Sequence, residues 1–214
     1  MVPIFSKIKA EIAAIRARDP AARSAFEVYF LYSGFKAVRR HRRAHWFYKH
    51  NFHFMARLVS ERTRRKTGIE IHPAAQIGRG LFIDHGTGVV IGATTEIGDN
   101  VTIYQGVTLG GTGKDRGKRH PTIGNDVVVG AGASVLGPFR VGDGAKIASG
   151  AVVLNEVPDN ATAVGVPARI ARIGGVKTCE LDHIHIPDPV SQLICQLQQE
   201  LDTLTRRVAE LEEK

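Results

Sequence analysis

The sequence predicts a mainly β fold, a parallel solenoid with a small helical domain before it and a helical tail after it. Two observations carry this. Aliphatic residues recur every six positions through thirteen members: Ile71, Ile77, Ile83, then Ile91, Ile97, Ile103, Leu109, then Ile123, Val129, Val135, Val141, Ile147 and Val153. Ahead of them, residues 1–66 hold sixteen Lys or Arg against four Asp or Glu and almost no strand pattern. The division is a helical domain at 1–67, a solenoid at 68–174 and a tail at 175–214.

The first helix follows from Ile4, Ile8, Ile12 and Ile15, which share one helical face. Asp19-Pro20 then reads as an N-cap with proline at the first helical position, opening a second helix over 20–34. A third segment, 35–66, is rich in Ala, Arg, Phe and Leu, and Gly68 ends it.

Past Gly68 the six-residue step excludes a helix. It corresponds to about 240° of helical rotation, so three successive members point in three directions. On extended chain six is a multiple of the two-residue side-chain period, and every member points inward. Glycine follows the aliphatic in seven repeats, Ile77-Gly78 and Ile123-Gly124 among them, where a tight corner needs a permissive backbone. One strand and corner cannot bury its own aliphatic row, so the units stack.

The frame slips twice. Eight residues separate Ile83 from Ile91, around DHGTG (Asp84–Gly88), and fourteen separate Leu109 from Ile123, leaving an eight-residue excess in GGTGKDRGKRHP. Slips place loops outside the core, where function tends to sit. Val157–Ile170 leaves the hexad frame as a closing strand and turn. In the tail, Ile194, Leu197, Leu201, Leu204, Val208 and Leu211 form a heptad seam, with Arg207 and Glu212 placed for an interchain pair. An amphipathic tail packed on its own subunit explains the same residues.

Composition bounds the function. No apolar run nears the ~18–20 residues of a membrane-spanning helix, and the amino terminus lacks a secretory signal, so a cytoplasmic protein with no membrane partner is expected. Cys179 and Cys195 fit neither a disulfide framework nor a zinc motif. The net charge of +8 divides into +12 over residues 1–66 and −4 over the rest. RRHRRAHWFYKHNFHF (Arg39–Phe54) interleaves cations with aromatics, which suits bases or an anionic surface. A helix with its aromatic side buried explains it equally well, and no nucleic-acid partner is expected. A basic region also attracts anionic small molecules, a polyphosphate cosubstrate included.

The reactive residues gather at the slips: His85 after Asp84, Glu70 one coil earlier, and Arg119-His120 at the end of the inserted loop. A neutral imidazole can take a proton from an alcohol as that alcohol attacks a carbonyl, and a carboxylate on its other nitrogen holds the tautomer. Glu70, fifteen residues before His85 and under one eighteen-residue turn, is the candidate orienter. A rival reading gathers His72, His85 and His120 around a metal, and another makes the chain a silent scaffold. GGTGKDRGKRH lacks GxxxxGK[ST] and does not lead a strand into a helix, which excludes a nucleotide-hydrolysing loop.

The stretch from GIEIHPAAQIG through DHGTG and GGTGKDRGKRHP to GAVV (Gly68–Val153) is similar to serine O-acetyltransferases, hexapeptide-repeat acyltransferases. The resemblance implies a left-handed parallel β-helix, three hexads per triangular coil, and acetyl transfer from acetyl-CoA, as cosubstrate, to L-serine in cysteine biosynthesis, with no metal. It implies His85 as general base, with Glu70 completing its dyad where many members carry aspartate. Asp84, Arg119 and His120 would hold the amino and carboxylate groups of L-serine. ARDPAARS resembles the family's DPA segment, which gives Asp19 a place in the serine site beside its capping role. Ala131, Lys146 and Ser149 match positions along the acetyl-CoA groove. Further implications are a homotrimer, since the helical region is shorter than in hexameric long forms, and feedback inhibition by L-cysteine. An end in VAELEEK rather than isoleucine speaks against a complex with O-acetylserine sulfhydrylase. The same chemistry on another hydroxyl acceptor, a sugar or a different amino acid, is the alternative; Arg119 favours one that bears a carboxylate.

Overall fold

The computed structural model describes residues 4–113, 116–174, 201 and 203. Cys179, Cys195 and the heptad seam apart from Leu201 lie outside the described residues.

Four helices come first, α1 (Ile4–Arg18), α2 (Ala25–Leu31), α3 (Ser33–Lys49) and α4 (His53–Thr67). The second helix starts later than Pro20 because Ser24, in extended geometry, is its N-cap and accepts the Glu27 N–H at 3.1 Å. Asp19 instead turns the chain, its Oδ1 taking the Ala21 N–H at 2.8 Å. The segment expected as one helix over 35–66 is two, broken at Asn51, whose φ of 63° is left-handed. α4 ends at Gly68 (φ 71°), whose N–H returns to the Arg64 carbonyl at 2.8 Å.

Short strands follow: β1 (Glu70–Ile71), β2 (Gln76–Ile77), β3 (Phe82–Ile83), β4 (Val90–Ile91), β5 (Glu96–Ile97), β6 (Thr102–Ile103), β7 (Thr108–Gly110), β8 (Thr122–Ile123), β9 (Val128–Val129), β10 (Ser134–Leu136), β11 (Arg140–Val141), β12 (Lys146–Ile147) and β13 (Val152–Val153). They are dealt in turn to three parallel sheets. The first stacks β1, β4, β7, β10 and β13, the second β2, β5, β8 and β11, and the third β3, β6, β9 and β12. β14 (Ala161–Val164) closes the third sheet, and β15 (Arg169–Ile173) pairs antiparallel with it. Register puts hexad on hexad, Ile71 beside Ile91, Leu109, Val135 and Val153, all at most 4% exposed. The aliphatic period is thus an inward column on each sheet.

Three edges join the sheets. Along the second-to-third edge, side-chain oxygens cap the coil before. Asp99 Oδ1 accepts the Arg79 N–H at 2.6 Å, Asn125 Oδ1 that of Asp99 at 2.9 Å, Asp143 Oδ1 that of Asn125 at 2.6 Å, and Asp159 Oδ1 that of Asp143 at 2.8 Å. The hexad glycines make room for this ladder: a Cβ on Gly98 would lie 2.7 Å from Asn125 Oδ1.

The helices dock on the first coil. Ser60 Oγ donates to the Ile71 carbonyl at 2.7 Å and His45 Nδ1 to that of Pro73 at 2.8 Å. Phe82, facing out from β3, is buried with Ile12, Ile15, Val28 and Phe35. The Arg18 guanidinium, over the Phe82 ring, bonds Gly80, the Asn100 carbonyl at 3.0 Å and Thr102 Oγ1 at 3.2 Å. That anchorage fixes the end of α1, and with it Asp19, against the coil.

Candidate active site

The first slip falls on the third-to-first edge. Asp84, His85 and Gly86 make a three-residue turn in which the Gly86 N–H donates to the Asp84 carbonyl at 2.6 Å. His85 at its centre has φ 53°, left-handed backbone that a residue with a Cβ adopts at a cost and that collects at functional sites. Asp84 also holds it by the side chain, Oδ1 accepting the His85 N–H at 2.9 Å. Gly86 has no room for a side chain: a Cβ would meet Ile69 Cδ1 at 2.5 Å. The turn leaves His85 exposed on the edge, outside the aliphatic interior.

Two other predicted residues share this neighbourhood. Glu70 opens β1 and pairs in register with Val90, just past the turn. Its carboxylate lies 3.9 Å from Arg64 Nε and is not hydrogen-bonded to His85. Asp19 Oδ2 accepts the Tyr32 hydroxyl at 2.5 Å. Burial first, then the Asp19 hydrogen bond and the charges of Asp19, Glu27 and Asp84, raise the Tyr32 phenol well above the ordinary tyrosine range. Asp84 also acts electrostatically on Tyr32, so Asp19 and Asp84 both lie near that phenol, a pair of carboxylates that suits an ammonium group.

The same edge continues up the coil through Gln105, Ala131 and Ser149. Gly106 N–H bonds the Thr87 carbonyl at 2.9 Å, Gly132 that of Gln105 at 2.8 Å and Gly150 that of Ala131 at 2.8 Å. Ala131 and Ser149 present only small side chains there, and Lys146 stands on β12 just before Ser149.

Arg119 and His120 lie elsewhere. The inserted loop joins β7 to β8, so it sits on the first-to-second edge, together with the corners that carry His72 and Thr94. The sequence reading grouped them with His85; within one chain they occupy a different edge. His120 is 7% exposed and packs over Gly92, where a Cβ would overlap its ring. Its Nδ1 faces Thr94 Oγ1 at 2.8 Å and the Thr94 N–H at 3.2 Å. Burial first, then the Arg119 and Lys118 cations, lowers its pKa. His72 is lowered likewise, by burial and then by Arg57, His120 and Arg119. His72, His85 and His120 therefore do not converge in one chain, and no group of three or more His, Cys, Asp or Glu that could hold a metal occurs among the described residues.

Sequence reasoning missed Tyr32, Thr94 and Arg64, the residues that hold Asp19, His120 and Glu70. None falls in a periodic pattern; only contact in the folded chain reveals them.

A three-sheet coil of hexads with an exposed edge histidine is the architecture of a hexapeptide-repeat protein. The family described as bacterial transferase hexapeptide (six repeats) matches residues 120–155. A serine acetyltransferase of Bacillus pumilus is 53% identical over 211 residues, 98% of this chain and 97% of the relative. That of Bacillus subtilis is also 53% identical, over 98% of this chain and 96% of its own. Among solved structures, a serine acetyltransferase in complex with cysteine superposes with a TM-score of 0.82 at 40% identity, covering 86% of this chain and 72% of that one. Soybean serine acetyltransferase complexed with serine gives 0.75 at 47% identity, covering 77% and 68%. This chain belongs to the serine acetyltransferase family.

Proposed function

We propose that the chain transfers the acetyl group of acetyl-CoA to the hydroxyl of L-serine, with His85 as general base. The observation that carries this is the left-handed turn that exposes His85 on the coil edge, next to Asp84 and on the side where Asp19 and Tyr32 dock. His85 takes the hydroxyl proton as the serine oxygen bonds to the thioester carbonyl. The tetrahedral oxyanion then re-forms its C=O, the C–S bond breaks, and the thiolate leaves and takes up the proton as CoA. Asp19 and Asp84 receive the serine ammonium, Arg119 and His120 its carboxylate. Glu70 steadies the imidazolium after a rotamer change that takes its carboxylate from Arg64 to His85. Ala131, Lys146 and Ser149 line the track for acetyl-CoA, whose phosphates Lys146 meets as a point charge.

Membership of the family supports a left-handed, triangular coil, and the division of these residues between two edges supports sites shared between copies in a homotrimer. Edge-to-different-edge contact is heterologous, and such contacts close into a ring, here of three copies. Each site then takes His85 from one copy and His120 from the next. The helical unit (1–67) contributes Asp19 to the acceptor site, and the coil (68–174) contributes the base, the other acceptor residues and the donor track. L-cysteine, serine with sulfur for oxygen, fits the same pocket as an inhibitor. A cytoplasmic setting agrees with these substrates; among the described residues no helix is long and apolar enough to cross a membrane.

Thiol release from acetyl-CoA tests the reading. Release with L-serine should far exceed that with L-threonine, L-homoserine or a sugar alcohol. Equal or faster release with a sugar, or none with L-serine, would overturn it.

A further inference from the structure

We infer that Thr94 is a positioning residue for this reaction: its hydroxyl sets the tautomer of His120 so that the ring offers one fixed N–H, at Nε2, to the acceptor's carboxylate. The role of that N–H rests on the serine-site reading above; the tautomer rests on geometry alone.

Thr94 Oγ1 accepts two backbone N–H groups of the inserted loop, Arg119 at 3.0 Å and His120 at 3.1 Å. A hydroxyl has two acceptor positions and one proton. With both acceptor positions occupied, the proton is left for the third neighbour, His120 Nδ1 at 2.8 Å. The Thr94 N–H approaches the same nitrogen at 3.2 Å. Two donors facing Nδ1 require a lone pair there, so the ring hydrogen belongs on Nε2.

The same two donors oppose an imidazolium, whose Nδ1–H would point into them. The charged and titratable groups around the ring act in the same direction: Arg119 and Lys118 from its own loop, and His72 from the corner one coil before. The nearby carboxylate, Glu96, is engaged by Lys118 Nζ at 3.0 Å, and Lys118 is itself held by the Thr94 carbonyl at 2.8 Å. One threonine thus fastens the loop by its backbone, its hydroxyl and, through Lys118, its carbonyl.

Nε2 has no hydrogen-bond partner among the described residues. It lies over Gly92 and beside Gly111, where a Cβ would stand 3.1 Å away. A donor without a partner, beside Arg119, fits an anionic oxygen. The opposite tautomer would present a lone pair to that oxygen and repel it, so any population of it weakens acceptor binding in proportion.

The test uses the full chain labelled with 15N at histidine, the His120 signals assigned by their loss in His120→Asn. Wild type should show the Nε2–H tautomer between about pH 6 and 8. Thr94→Val, which removes the hydroxyl at constant volume, should give a tautomer mixture that titrates nearer the ordinary histidine range. It should also raise KM for L-serine by the inverse of the remaining Nε2–H fraction, about twofold for an even mixture, with KM for acetyl-CoA unchanged. Thr94→Ser, which keeps the hydroxyl, should restore both. An Nδ1–H tautomer in wild type overturns the inference, and that measurement needs no variant to fold. So does a Thr94→Val protein that keeps the wild-type tautomer and titration while kcat and KM worsen together, the mark of a merely structural residue. If wild type turns over no L-serine at all, the functional reading fails, while the 15N spectrum still decides what Thr94 does.

Discussion

Deleting one oxygen from Tyr32 asks whether the Asp19 carboxylate is a working part of the acceptor site. Tyr32→Phe removes the hydroxyl that donates to Asp19 Oδ2 at 2.5 Å. Asp19 Oδ1 keeps the Ala21 N–H at 2.8 Å, so the carboxylate stays in its turn but loses the constraint on its orientation. A hydrogen bond to a charged group contributes about 1.5–3 kcal/mol. Both side chains are half-buried, water recovers part of the loss, and the lower end applies. About 1.4 kcal/mol is tenfold in an equilibrium constant, so KM for L-serine should rise about tenfold. Because the serine ammonium is bound alike before and during transfer, kcat and KM for acetyl-CoA should stay within about twofold. Initial rates of thiol release against L-serine at saturating acetyl-CoA give both parameters. Asp19→Asn, which removes the charge itself, should raise KM further. The effect should be flat across neutral pH: the folded-state pKa of Tyr32 is raised, so its proton is fully held below the ordinary tyrosine range and lost only in more alkaline solution. An unchanged KM in both variants, or a fall in kcat with KM intact, would refute the assignment of Asp19 to acceptor binding.

Other residues give equally direct tests. Asp143→Ala removes the acceptor of the exposed Asn125 N–H, which water partly replaces, at about 0.5–1.5 kcal/mol, and in a chain of this size Tm falls by roughly 2–4 °C per kcal/mol. Asp143→Asn keeps an oxygen in place and should lose less than half as much in a thermal melt; equal losses would mean that the ion pair with Arg140 matters and the ladder does not. His41, 5% exposed on the inner face of α3, is held neutral, its pKa lowered to about 3 by burial first and by His45 next. The folded value lies below the unfolded one, so the unfolded chain binds more protons between about pH 3 and 6.5, and stability falls as pH drops through that window. In His41→Phe, urea midpoints should depend less steeply on pH there; an unchanged slope would rule His41 out as the source. His85→Ala should lower kcat by about 10²–10⁴ with the fold intact by circular dichroism. Mixed and reassembled with His120→Asn chains, it should recover activity that neither variant has alone, since some shared sites then carry both wild-type residues; no recovery would count against sites built between copies.

The hexad rows, both slips and the end of the helical domain at Gly68 were legible because each is a repeated or punctuated backbone demand. The edge on which each slip falls was legible too. Counting hexads in threes from Ile71 puts the His85 slip between third and first sheets and the Arg119 slip between first and second. Grouping residues by chemistry hid that, and placed in one constellation what one chain keeps apart. The break between α3 and α4 carries no glycine or proline; Asn51 supplies the left-handed residue, and asparagine is common enough elsewhere that its presence does not mark a turn. Asp19 and Ser24 are both good N-cap residues five apart, and sequence alone does not say which will cap and which will turn the chain. Tyr32 and Thr94 act through single hydroxyls, which leave no periodicity at all.

The coil's own backbone demands make the third-to-first edge suitable for the proposed donor track. On the third-to-first edge Gly88, Gly106, Gly132 and Gly150 all have left-handed φ, between 69° and 78°. A Cβ on Gly132 or Gly150 would meet nothing within 4 Å, so conformation, and not crowding, requires glycine there. The result is a row of glycines along the edge that exposes backbone for structural reasons, with successive coils about 4.8 Å apart. From the His85 coil to the Ser149 coil is three such steps, about 14 Å, a strip on which an extended thioester arm can lie against backbone. His85 stands at the lower end because the two extra residues of DHGTG interrupt the regular corner there, and the helical unit brings Asp19 to that same end. On the proposed reading the thioester arm runs up the coil from His85 while the acceptor sits on the helical side, so the two reactants meet at the imidazole and transfer directly.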